Sequence, residues 1–152
     1  MKRLARTALM LLTTFSATTG FSQSPANAKP KQFNNYPAVI NCTEAELAKA
    51  FGSPTGQRVT FAFSNDFNFS GDVTSNVVKY SNLQSAVIRS SIFNNSIFSI
   101  SKITNADNSI SYVGRIINRD YFDGYQLTRD ASGNYKLIKI ETDRFIPDCK
   151  QN

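Results

Sequence analysis

The sequence predicts an α+β, mainly β domain: an antiparallel meander of about six or seven strands, as a curved sheet or a small closing barrel, with one short N-terminal helix. Three observations carry this. After Gly56 the chain alternates with period two and is rich in Phe, Val, Ile, Tyr and Thr, side chains that pack well on a pleated surface. Turn signals interrupt it at short intervals, and short connections make neighbouring strands antiparallel. Only one helix start stands out, Thr43 followed three residues later by Glu46.

In that helix Thr43 is the expected N-cap, and Glu46 is placed to return the favour to the backbone of Thr43. Gly52 is expected to end it. Leu47, Ala50 and Phe51 lie three and four apart and share the buried face, whereas Glu44 and Lys49 point to water. The first strand puts Val59, Phe61 and Phe63 on one face, with Arg58, Thr60 and Ser64 outward, and Phe67 and Phe69 continue the alternation after Asn65-Asp66. Gly71-Asp72 reads as a turn, followed by strands over 74–80 and 85–92. Asn94-Asn95 breaks the chain before a strand over 97–104. Two hairpins are clearest: the turn 105–109 joins that strand to 110–118, and the turn 130–133 joins 125–128 to 135–141.

Residues 1–28 read as a signal peptide, because Lys2, Arg3 and Arg6 precede the apolar run from Ala8 to Leu12 and Ala26-Asn27-Ala28 supplies small residues before Lys29. Cleavage after Ser22 is the alternative. The apolar run is too short and too rich in Thr for a spanning helix, so an exported, soluble protein is expected, periplasmic or extracellular. Residues 29–40, broken by Pro30 and Pro37, read as an extended lead-in with a mobile start, and 41–152 as a single domain. Three of the 17 basic residues leave with the signal and all 11 acidic ones stay, so the net charge falls from +6 to 14 − 11 = +3. A scattered charge of this size argues against nucleic acid as a partner. In an oxidising compartment Cys42 and Cys149 are expected to form a disulfide around nearly the whole domain, removing on the order of 4 to 5 kcal/mol of unfolded-state freedom.

The absence of histidine excludes Ser-His-Asp and Cys-His nucleophiles and disfavours a catalytic zinc. The seven glycines form no phosphate-binding loop. No cofactor or metal site is predicted: Asn105, Asp107 and Asn108, or Asn65, Asp66 and Asn68, offer oxygens for a cation, but both groups read more simply as hairpin turns. The segment from Arg119 to Tyr125 concentrates acids, a cation and aromatics. Asp120 and Asp123 there are the candidate acid and base of a glycoside hydrolase; alternatively Asp123-Gly124 is a turn that Asp120 caps.

The expectation is a non-enzymatic exported domain that binds a protein or glycan, with Phe67, Phe69, Arg119, Tyr121 and Tyr125 as candidate binding residues. For Phe67 and Phe69 an exposed platform and a place in the core are equally open. The Asp120/Asp123 hydrolase and a structural accessory module of an envelope assembly are the alternatives. An outer-membrane barrel ranks last, since the strands are short and the chain ends on Gln151-Asn152.

Overall fold

The computed structural model describes residues 29–142; residues 1–28, where the sequence suggests a signal peptide, and Cys149 lie outside them. The elements run β1 (Val39–Cys42), α1 (Glu44–Gly52), β2 (Arg58–Ala62), β3 (Asn68–Tyr80), β4 (Leu83–Arg89), β5 (Ile97–Thr104), β6 (Ile110–Ile117), β7 (Asp123–Arg129) and β8 (Tyr135–Glu141). All eight strands form one antiparallel sheet in the order β1-β8-β7-β6-β5-β4-β3-β2, curled into an open half-barrel. From β2 to β8 it is the expected meander. The additional strand is β1, taken from the end of the lead-in, which pairs with β8 from Val39 opposite Ile138 to Cys42 opposite Tyr135. Both edges, β1 and β2, flank α1 in sequence, so the helix carries the chain from one edge of the sheet to the other.

Two inserts fill the concave face. One is α1, packed on β2, β3 and β4, with Leu47 and Ala50 fully buried and the Phe51 ring beside Tyr112 of β6 at 5.9 Å. Thr43 caps it as expected, its hydroxyl accepting from the Glu46 amide at 3.3 Å. The reciprocal bond does not form. The Glu46 carboxylate instead takes Lys49 Nζ and the free Ala62 amide of edge strand β2, which lowers its pKa against a contrary desolvation effect. Gly52 is the last helical residue rather than a left-handed stop, and Ser53 leaves in an extended conformation. The exposed carbonyls of the last turn are satisfied from a distance: Asn76 Nδ2 donates to Ala50, Phe51 and Ser53 oxygens at 3.4, 3.1 and 2.9 Å, and Gln84 holds Asn76 in place at 2.8 Å.

Asn76 reaches the helix because of a bulge. Val73 pairs with Ile88 and Ser75 with Val87, leaving Thr74 as the extra residue. Beyond it the alternation inverts, so Asn76 faces in and Val77 faces out, half exposed.

The second insert is the lead-in. Phe33 is fully buried, its ring 5.9, 5.4 and 5.2 Å from those of Phe67, Phe93 and Tyr125. Backbone bonds fasten the segment at both ends: Phe122 N donates to Pro30 O at 2.9 Å, Tyr125 Oη to Pro37 O at 2.7 Å, and Lys139 Nζ to the carbonyls of Phe33 and Tyr36 at 2.6 and 2.7 Å. The lead-in expected to be extended is instead bent into a strap with a core residue at its centre.

Two predicted turns are strand interior. Gly71 pairs with Val59 within β3, and a Cβ there would lie 2.4 Å from the Arg89 carbonyl oxygen; Gly124 lies in β7, and its Cβ would meet Ile116 O at the same distance. Each glycine permits a close backbone approach that a side chain would block. Cys42 faces the interior with its thiol near Ile40 O at 3.6 Å, and burial pushes that thiol up to about 12. It is a free cysteine here, with Cys149 outside the described residues. Among the described residues no helix is long and apolar enough to cross a membrane.

Candidate functional site

The outer face of the sheet carries a register row from Arg58 through Asp72, Arg89 and Ile97 to Ile117, across β2 to β6. Arg58 grips Asp72 with two nitrogens at 3.0 and 3.3 Å, so the one carboxylate beside Arg89 in that row is already engaged. The row ends under two loops. The loop 90–96 holds Asn94 and Asn95 at φ 45° and 65°, left-handed angles that asparagine tolerates better than most residues. Asn118, buried after β6, donates to Asn94 O at 2.7 Å, and its own oxygen accepts from Asp120 N at 3.0 Å. Tyr121 Oη completes the tie, accepting from Asn94 Nδ2 at 2.5 Å. Two hydrogen bonds therefore tie the two loops to each other.

Between them lies an open hollow of about 830 Å³ lined by Lys29, Arg89, Asn94, Asn95, Ile97, Ile117, Asn118, Arg119 and Asp120. Three cations face one carboxylate over a floor of two isoleucines. Arg89 and Arg119 are exposed, and neither makes a side-chain hydrogen bond or ion pair among the described residues. Unpaired guanidinium forks facing one hollow are suited to carboxylate or phosphate oxygens, which they can meet in bidentate fashion.

Of the sequence-predicted binding residues, this hollow gathers Arg119 and, through its bond to Asn94, Tyr121. The other three are elsewhere. Phe67, Phe69 and Tyr125 are fully buried, so their rings face other rings and present no platform. Burial raises the Tyr125 phenol, which donates to Pro37 O. The carboxylate pair is also separated. Asp120 lines the hollow, and the Asx turn at its backbone is made by Asn118, not by Asp120 itself. Asp123 is 1 % exposed at the start of β7, where its two oxygens accept from Gln32 N at 2.6 Å and Phe33 N at 2.9 Å. It borders a different hollow of about 570 Å³, with Lys31, Asn34 and Lys139. Neither of these two hollows is lined by both carboxyl groups among the described residues.

The proposed cation loops are hairpin turns. Asp107 Oδ1 accepts from Ser109 N and Oγ at 3.0 and 2.6 Å, bonds that lower its pKa, while Asn108 takes φ 63°. Ser64 and Phe67 exchange backbone bonds around Asn65-Asp66. No group of three or more His, Cys, Asp or Glu side chains suited to a metal occurs among the described residues.

No protein-family model, no curated protein and no solved structure matches this chain. Sequence reasoning missed Arg89, Asn95, Asn118 and the two isoleucines as a group, because their proximity depends on strand register. The Asn94-Asn95 pair was the available signal, and it reads equally well as a plain break.

Proposed function

We propose that this is an exported, non-enzymatic binding domain whose ligand, a glycan or a protein, is held in the hollow between the 90–96 and 118–122 loops. The observation that carries this reading is the pair of unpaired arginines, Arg89 and Arg119, facing one hollow whose loops are locked together by Asn118 and Tyr121. A rigid rim lowers the ordering cost of binding. The separation of Asp120 from Asp123 supports binding over hydrolysis, since acid–base chemistry on a glycosidic bond needs two carboxyl groups flanking it.

The test is a glycan and protein-ligand array probed with wild type, Arg89→Ala and Arg119→Ala. Each variant is expected to weaken the wild-type ligand by about ten-fold or more, the loss of one charge-assisted hydrogen-bonding group, with an unchanged thermal midpoint because both side chains are exposed. A ligand bound equally well by all three proteins would place the site elsewhere.

Export and oxidation belong to the same reading. Intact-mass measurement of exported material is expected to give a chain starting at Lys29 and lighter by two hydrogens than its reduced form, through pairing of Cys42 with Cys149. A start at Gln23 moves the cleavage site; an intact Met1 in the exported fraction sinks the export argument, and an unchanged mass on reduction sinks the disulfide.

A further inference from the structure

We infer that the hollow takes an acidic, carboxylate-bearing glycan, and that cleavage before Lys29 completes it by placing a new α-ammonium on its rim. This rests on the binding reading above.

Pro30 O accepts from Phe122 N at 2.9 Å, Lys31 Nζ lies 5.7 Å from the centre of the Phe122 ring, and the next two amides are fixed on Asp123. Residues 30–33 are thereby locked against the segment 122–123 that follows the hollow's second loop. Lys29 sits one peptide from this fixed point and lines the hollow. The proline after it restricts the Lys29 backbone to extended conformations. Its nitrogen is therefore held close to Pro30, beside the hollow that Lys29 lines.

Cleavage changes the chemistry of that nitrogen. In the uncut chain it is a neutral amide; after cleavage it is an amine with a reference pKa of about 8, protonated at neutral pH. The new ammonium adds one positive charge to a lining that already holds the unpaired forks of Arg89 and Arg119 among the described residues. An anion gains from each such charge, more so at a rim already organised by hydrogen bonds than on a mobile tail.

Size and lining favour a sugar acid over an acidic protein. A hollow of about 830 Å³ matches a small-ligand site, whereas a stable protein partner would cover roughly 800 Å² of this chain. Ile97 and Ile117 offer an apolar floor for the C–H face of a sugar ring, and the exposed Asn95 amide is placed to meet hydroxyls.

The experiment compares three proteins by calorimetry: the chain starting at Lys29, the same chain preceded by Gly-Ser-Ala, and the Lys29-start chain carrying Arg119→Ala. The probes are oligogalacturonate, its fully methyl-esterified counterpart and poly-glutamate. Expected are at least about ten-fold tighter binding of the acid than of the ester by the Lys29-start chain, and about five- to ten-fold weakening of acid binding by the extension at an unchanged thermal midpoint. Arg119→Ala should weaken the acid as well. Equal binding of acid and ester, or no binding of the acid, overturns the acidic-glycan assignment. Poly-glutamate bound more tightly than oligogalacturonate replaces it with an acidic peptide. Equal affinity of the extended and Lys29-start chains overturns completion by cleavage. If instead the Lys29-start chain binds no member of the wider array, the binding reading itself fails.

Discussion

Phe33→Ala is expected to cost about 3–5 kcal/mol of folding stability, the usual range for emptying a buried phenylalanine site. The ring has no exposed surface and packs against Phe67, Phe93, Tyr125 and Tyr36, with ring centroids 5.2 to 6.2 Å away. Two of these neighbours are held against collapse into the space. Tyr125 is tied by its hydroxyl to Pro37, while Phe67 closes the β2–β3 hairpin through its backbone bonds to Ser64. A domain of this size has a total stability of about 5–15 kcal/mol, so the loss is about a fifth of it or more. Urea unfolding of wild type and variant at equal ionic strength measures it directly. A change in midpoint equivalent to less than about 0.5 kcal/mol, the range of ordinary surface substitutions, would show that the strap lies on the domain without belonging to its core.

The strap also shows where sequence reasoning stops. Strands 97–104 and 135–141 coincide with β5 and β8 to the residue, because each alternates cleanly and is bounded by a turn whose Asn, Asp or Gly residues have one plain use. The capped start of α1 was equally legible in Thr43. Phe33 was not: it lies between prolines in a polar stretch, with no periodicity to announce that the half-barrel has room for one more ring. Gly71 and Gly124 misled for a related reason. Beside aspartate each looks like a turn, and only the paired strand reveals that the missing side chain makes space for a carbonyl. The bulge at Thr74 is likewise invisible locally, yet it decides that Asn76, not Val77, faces the helix.

The candidate site was legible in part for the same physical reason. Arg119, Asp120 and Tyr121 sit in one loop and could be singled out as a segment. Arg89, Ile97 and Ile117 come from three strands, and their adjacency is a consequence of register. Asp123 was singled out for its carboxylate, and both of its oxygens receive backbone amides of the strap.

That assignment makes Asp123→Asn the sharper test of the whole arrangement. In the native protein Oδ1 accepts from Gln32 N and Oδ2 from Phe33 N, at 2.6 and 2.9 Å, inside a nearly fully buried pocket. Asparagine keeps the shape but offers one oxygen; its amide nitrogen turns a donor toward one of the two N–H groups. One charge-assisted bond is weakened to a neutral one and one buried donor loses its acceptor, for an expected loss of about 2–4 kcal/mol. Hydrogen exchange at the Gln32 and Phe33 amides should accelerate beyond that of the β5 and β6 amides, since the strap loses its anchor before the sheet opens. Combined with Phe33→Ala, the two losses should sum to less than their separate values, because both act on the same segment. The contrary result is equally specific. If Asp123→Asn unfolds at the wild-type midpoint, and wild type hydrolyses a glycan that this variant cleaves orders of magnitude more slowly, Asp123 serves chemistry and the strap is held by its ring and its other hydrogen bonds.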